Sequence, residues 1–343
     1  MSSDQSLKTK GSDEGVSSKS SSSSKIAKIK KTASYDPAFA QHILDHGIYL
    51  NGYGPGEESE EDDMRPSNFD DIDAKLRKPR PSLSPSRFQR KDFRNFTREN
   101  IAALSESDVA RTVFPAIIGR KKIPCSSNIE FNNLAPLTDG GLSSCRPDYY
   151  EGSRPADLNK LVRNEIEKHI VPSSDTSRPC LPNFFAELKG PDGNTAVAQR
   201  QACYDGALGA RGIHKLRAYV NEKTALDGNA YSVTTTYSGG SGSGHLTIYT
   251  MHPTASKEPD RELDYRMTRV RSFALMDSID TFRAGATAIR NAHEWAQEQR
   301  ADLIQAANDL ASSAVPQTES QPLPILVDSD SLPTSDSVDE THR

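Results

Sequence analysis

The stretch that most constrains this chain runs from Asn183 to Tyr204, NFFAELKGPDGNTAVAQRQACY. Phe184, Ala186 and Leu188 alternate with Phe185, Glu187 and Lys189, the two-residue period of a strand. Glu187 and Lys189 therefore emerge side by side on one face, with Leu188 turned into a core. Gly190-Pro191-Asp192-Gly193 breaks the strand. Asn194 or Thr195 can cap the helix that follows, from Thr195 to about Ala210. That helix is rich in Ala and Gly, which lets it lie close on a sheet. An acid and a lysine at the end of an apolar strand cost free energy unless they are paired or bind something. They are the candidate active centre.

Composition narrows what surrounds this centre. The chain has 343 residues, 34% of them hydrophobic, and a formal net charge of −5. Its mean hydropathy is −0.67. The polarity is concentrated at the ends, so the expected ordered part is smaller than the chain. Net acidity excludes a uniformly basic nucleic-acid coat but leaves room for a local basic groove. No run of 18 apolar residues occurs, so no membrane span is expected, and the N-terminus carries no hydrophobic secretory segment. Cys125, Cys145, Cys180 and Cys203 are far apart with no CxxC, which predicts reduced thiols of an intracellular protein rather than a zinc site.

In chain order, residues 1–34 read as a disordered Ser/Lys-rich tail containing a KIAKIKK cluster, either a nuclear localisation signal or a solvated tail. Residues 35–100 read as an N-terminal arm, partly helical. Phe39 and Ile43 share a helical face there, and His42 and His46, four apart, lack an evident third ligand and read as surface or packing residues. An acidic run from Glu57 to Asp63 reads as a solvated loop. The basic, Pro/Ser-rich segment 75–94 resists regular structure. Its Arg87, Arg90, Lys91 and Arg94, interleaved with Phe88 and Phe93, suit either nucleic-acid contact or docking of the rings on a core.

Residues 101–311 carry the globular pattern. Ser105 to Asp108 is a capping-box-like start to a helix bearing Val109, Val113, Ile117 and Ile118. Ile129–Leu137 is expected as a strand, with a second short strand leading into Arg146-Pro147-Asp148. Pro155–Ile170 is expected as one amphipathic helix burying Leu158, Leu161, Val162, Ile166 and Ile170. Strands are expected at 231–237, 245–251 and 266–274, followed by a long helix over about 278–311. Tyr204 and Trp295 read as core, and His214, His245 and His252 as surface. Residues 312–343 read as a disordered acidic tail. The fold class is α/β, a mixed central sheet flanked by helices.

Pro147-Asp148 at one strand's end and Glu187-Leu188-Lys189 on the next make a PD…ExK arrangement. It resembles the PD-(D/E)XK nuclease superfamily in residues and in the strand–turn–helix setting. Gln199, Gln201 and Tyr204 on the helix resemble the Gln/Tyr element of the RecB-like branch, with Gln201 and Tyr204 one residue closer than is usual there. FFAELKGPDG, RQACYDGALGARG and RPSLSPSRF resemble, more closely, an uncharacterised family of fungal proteins with a nuclease-like domain, over roughly residues 35–310. The superfamily resemblance implies a restriction-endonuclease-like core and hydrolysis of DNA or RNA with Mg²⁺, for which Mn²⁺ can substitute.

The residues argue the same chemistry directly. Phosphodiester hydrolysis needs a metal to polarise the phosphate and acidify an attacking water. Asp148 and Glu187 offer hard carboxylate oxygens, and the Leu188 carbonyl a third. Lys189 can orient the water and stabilise developing charge. Glu106 is the first choice for an upstream acid and Asp108 the second, and Arg200 and Gln201 are candidates for phosphate contact. Two rival readings stay open: a nuclease-like module that binds nucleic acid without cutting it, and a protein-interaction scaffold. In the tail, Pro324 to Ser331 (PILVDSDS) resembles a SUMO-interacting motif, with Ile325, Leu326 and Val327 adding a strand to a sheet edge. With the basic N-terminal cluster, this predicts a nuclear protein.

Overall fold

The computed structural model describes residues 31–54, 65–120, 122–241 and 243–314. Most of the KIAKIKK cluster, the Glu57–Asp63 run and the Ile325-Leu326-Val327 motif lie outside the described residues. Among those described, seven strands form one mixed sheet: β1 (Ile48–Tyr49), β2 (Cys125–Ser126), β3 (Tyr149–Ser153), β4 (Cys180–Lys189), β5 (Ser232–Gly240), β6 (Ser243–Ala255) and β7 (Leu263–Ala274). Their order is β1-β7-β6-β5-β4-β3-β2. The helices are α1 (Ala38–Asp45), α2 (Phe69–Leu76), α3 (Arg90–Ala102), α4 (Glu106–Asp108), α5 (Phe114–Ile118), α6 (Lys160–Glu165), α7 (Glu167–Ile170), α8 (Thr195–Asn221) and α9 (Ile279–Ala314). This is the α/β architecture expected. Among the described residues, no helix is long and apolar enough to cross a membrane.

β4 is buried along its whole length because it lies between neighbours on both sides and helices on both faces. It runs parallel to β5, with α8 as the crossover, and antiparallel to β3. Phe184, Ala186 and Leu188 pack with Phe282, Ile289 and Trp295 of α9 on one face. Phe185 packs with Ala202, Cys203 and Ala207 of α8 on the other. Each such aromatic contributes on the order of 2–3 kcal/mol by leaving water. Trp295 and Tyr204 are core residues, as expected.

The small residues of α8 are what let it sit this close. A Cβ at Gly209 would fall 2.6 Å from Phe185 Cε2 and 2.8 Å from Ser232 Oγ. Alanine is favoured over glycine in a helix by about 1 kcal/mol, but overpacking of a filled core costs about 1–3 kcal/mol. Gly209→Ala is therefore expected to lower the denaturant midpoint, and a raised midpoint would contradict this packing account.

The N-terminal arm is built into the sheet. β1 pairs parallel with β7 at one edge. α2 and α3 supply Ile72, Leu76 and Phe96 to the α9 side of the core. The 75–94 segment is more regular than expected. A capping box at Gln89 and Asp92 starts α3 inside it, and the Phe88 ring stacks on Phe282 at 4.6 Å. The rings dock; they do not interleave with the charges for stacking on bases. Arg87, Arg90, Lys91 and Arg94 remain exposed.

Other expectations are corrected. Ile129–Leu137 is not a strand. Its polar groups are spent on loop contacts: Phe131 N donates to Cys145 O, and the Asn133 amide donates to Val171 O and Glu167 Oε1. The Pro155–Ile170 helix is interrupted, because Asn159 caps a fresh start by accepting from Leu161 N. Leu161 is turned to solvent at 54% exposure. His245 is exposed as expected, whereas His214 on α8 and His252 on β6 are buried. Burial holds the His252 imidazole at about 4, so it stays neutral.

Candidate active site

The site forms where β3 begins and β4 ends. Because these strands are antiparallel, with Tyr149 opposite Ala186, the residue before β3 falls beside Glu187. That residue is Asp148. Its amide donates to Glu187 Oε1 at 3.3 Å, and its Oδ2 accepts from Leu188 N at 2.8 Å. Lys189 projects from the same face of β4 as Glu187, as the strand period requires.

Glu106 arrives from a different part of the chain. Ser105 caps α4 by accepting from Asp108 N, which puts Glu106 in the first turn. This turn presses on Gly190: a Cβ there would meet Glu106 N at 2.7 Å and the Ser105 carbonyl carbon at 2.8 Å. Only glycine lets the upstream acid come this near the strand's end. Lys189 Nζ donates to Glu106 Oε2 at 3.0 Å and to Leu188 O at 2.9 Å, and lies 3.8 Å from Asp148 Oδ2. Asp108, the alternative upstream acid, is occupied elsewhere, accepting from Ser105 Oγ and Leu104 N and pairing with Arg111.

A further acid completes the group and has no counterpart in the sequence reading. Asp205 is buried on α8, facing Glu187, and its Oδ1 accepts from Cys145 Sγ at 2.8 Å. Glu187 Oε2 and Asp205 Oδ2 are both buried without a donor. Burial pushes the Glu187 carboxyl well up, and the Asp205 and Asp148 charges add to it. Burial raises Asp205 and Asp148 to about 6 each. Burial thus favours the protonated form of Glu187. For Lys189 burial works downward, but Asp148, Glu187 and Glu106 outweigh it and hold the ammonium charged. Burial, reinforced by Asp205, also keeps Cys145 a thiol.

The candidates on α8 divide. Arg200 Nε donates to Ser34 O at 2.8 Å, tying the helix to the N-terminal segment. Gln201 lies one helical turn before Asp205, with a buried Oε1 that has no donor. Tyr204 does not face the acids; it packs edge-on against Phe39 at 6.1 Å.

A divalent ion fits this group by chemistry. The donors are hard oxygens, one of them the orphaned Glu187 Oε2, and the Lys189 ammonium already lies among three oxygens from Glu106, Leu188 and Asp148. Among the described residues, no three of these acids bring ligand atoms within 4.8 Å of one another, so a bound ion would draw them together.

Fold and site together define an α/β protein with an acid–lysine centre at the end of its central strand. Residues 120–308 match the family described as a domain of unknown function, DUF7924. The match covers more than half of the chain, and the chain belongs to this family. No curated protein and no solved structure matches it.

Proposed function

We propose that this protein is a Mg²⁺-dependent phosphodiesterase acting on nucleic acid. The observation that carries the reading is the convergence of Asp148, Glu187, Lys189 and Glu106, four residues from three segments, on one strand end. Asp148 and Glu187 would hold the ion with Glu106 at its open side, and Mn²⁺ could replace Mg²⁺ there. The ion supplies Lewis acidity toward a phosphate oxygen. Lys189 holds a positive charge at the acids, where it can orient water and offset charge developing on phosphorus oxygens. Gln201 offers an unpaired oxygen beside them. The exposed Arg87, Arg90, Lys91 and Arg94 on the segment leading to Glu106 supply cationic contacts to a phosphate backbone. The reading extends to a nuclear location, on the basic KIAKIKK cluster and on the resemblance of the segment with Ile325, Leu326 and Val327 to a SUMO-interacting motif.

The test is cleavage of single- and double-stranded DNA and RNA with Mg²⁺ or Mn²⁺, against an EDTA control. Wild type is expected to cut only with metal. Glu187→Ala and Lys189→Ala are each expected to lose at least about a hundredfold in rate, the scale seen when an electrostatic catalytic group is removed.

A second reading, a nuclease-like module that binds without cutting, is favoured by one observation. Glu187 is 0% and Lys189 1% exposed, so only the Glu106 side opens to solvent. Salt-sensitive binding with no cutting under any metal would select that reading. Absence of both would leave an interaction scaffold.

A further inference from the structure

On the far side of α8 from α9, helix α1 and the loop after Leu137 bring together residues 97 positions apart. His42 and His46 stack with ring centroids 4.7 Å apart and planes within 11°. Four residues along a helix turn put both rings on one side, aimed alike. His46 Nδ1 is 2.7 Å from the His42 carbonyl oxygen. A carbonyl only accepts, so Nδ1 bears the proton and Nε2 carries the free lone pair. Asp139 Oδ1 lies 2.9 Å from His42 Nε2 and is oriented by the Gly141 amide at 2.8 Å. One ligand atom from each of the three side chains lies within 4.8 Å of the others, the one such group among the described residues.

We propose that His42, His46 and Asp139 form a second metal site, which takes Zn²⁺ with water as the fourth ligand. Two imidazole nitrogens and one carboxylate suit Zn²⁺, unlike the all-oxygen donors of the acid centre. The site has the outer hydrogen bonds that usually orient such ligands: the His42 carbonyl fixes the His46 tautomer, and Gly141 N–H holds Asp139. Zinc bonds of about 2.0–2.2 Å in tetrahedral geometry separate ligand atoms by about 3.4 Å. His42 Nε2 donates to Asp139 Oδ1, so zinc binding needs His42 to take its Nδ1–H tautomer or release that proton to solvent, and the two atoms then open by only about half an ångström. Asp139 is 59% exposed at its side chain, so water has access to the fourth position.

Filled, the site would pin α1 to the loop that continues through Cys145 to Asp148. It does not depend on the phosphodiesterase reading. Asp45, on α1 itself, is engaged by Gln41, and among the described residues no fourth His, Cys, Asp or Glu joins the group.

The experiment uses the full chain without an affinity tag, stripped with chelator and then held in excess Mg²⁺ to saturate hard-oxygen sites. Co²⁺ is titrated as an optical probe, followed by displacement with Zn²⁺. One equivalent of Co²⁺ is expected to give the visible absorption of a tetrahedral ion, and Zn²⁺ to remove it and raise the melting temperature. His46→Gln and Asp139→Asn are each expected to weaken binding at least tenfold, with metal-free melting close to wild type. Asp139 is on an exposed loop, so its variant stays informative if the His46 variant folds poorly. Cys125→Ser, which removes the exposed thiol, and Glu187→Gln are expected to leave the Co²⁺ signal unchanged. Absence of a stoichiometric signal in wild type, or a signal that survives both His46→Gln and Asp139→Asn, would overturn the proposal.

Discussion

Glu187→Gln is expected to stabilise the metal-free protein while abolishing metal-dependent cleavage. Glu187 Oε2 and Asp205 Oδ2 face each other without a donor. A glutamine amide nitrogen can donate to Asp205, while its oxygen keeps the bond from Asp148 N. The neutral residue also removes a carboxyl that burial penalises. The sign of the pH dependence follows. Asp148 and Asp205, at about 6, and Glu187, raised well above its ordinary range, hold protons that an unfolded chain releases near pH 4. Between those values the folded state binds more protons, so stability falls as pH rises. For one carboxyl raised from 3.8 to about 6, the loss is on the order of 3 kcal/mol. Wild type should therefore melt at progressively lower temperature from pH 5 to pH 8, and Glu187→Gln should flatten that slope. Melting followed by circular dichroism at both pH values measures it. A variant that melts below wild type at pH 8 would show that the buried carboxyl is not a cost.

Lys189→Met is expected to act in the opposite direction. Its ammonium is the positive charge within reach of Asp148 and Glu106 at the strand end, and it also satisfies the Leu188 carbonyl. Methionine matches its length but leaves buried acids uncompensated. Removing one partner of a buried pair costs about 3–5 kcal/mol, which corresponds to a fall of roughly 10 °C in melting temperature for a domain of this size. The fall should be larger at pH 8 than at pH 5, where Asp148 takes up a proton and no longer needs a cation. Equal losses at the two pH values would mean that packing, not charge, accounts for the effect. Glu187→Gln and Lys189→Met, two neighbours on one strand face, thus separate the charge a fold tolerates from the charge it requires.

What was legible in the sequence was local. The strand–turn–helix around Glu187 and Lys189 announces itself by a two-residue period, a Gly/Pro break and the Asn194 cap, which accepts from Ala196 N and Val197 N. Asp148 was picked out by the PD…ExK resemblance and expected at the end of a strand, whereas it stands just before β3, where the antiparallel pairing with β4 sets it beside Glu187. Glu106 was ranked above Asp108, and the structure sets Glu106 against Lys189 by the close approach at Gly190, which the sequence does not show. Asp205 was not legible. On α8 it looks like any helical acid, and its significance comes from facing Glu187 across the helix–sheet interface. The third member of the histidine group, Asp139, was hidden for the same reason, being far from His42 in sequence. The two mistaken elements share a cause. Ile129–Leu137 and Pro155–Ile170 both have apolar residues at suitable spacing, but in the first the amides of Phe131, Asn133 and Ala135 go to the carbonyls of Cys145, Pro172 and Lys168, and in the second the Asn159 side chain takes Leu161 N. In the 75–94 arm, Pro and charge argued for irregularity, yet Phe88 finds Phe282 and the chain folds onto it.

The placement of β1 beside β7 has a practical consequence for where this protein begins as a folding unit. The stretch by which the family is recognised starts at residue 120. A fragment trimmed to that start would have no β1, leaving the long β7 as a naked margin ready to recruit another chain. It would also lack Phe96, Val109 and Val113 from the α9 side, and the glutamate that meets Lys189. The recognisable sequence and the autonomous structure are different objects, and the smallest piece that could fold and carry the complete centre reaches back at least to β1.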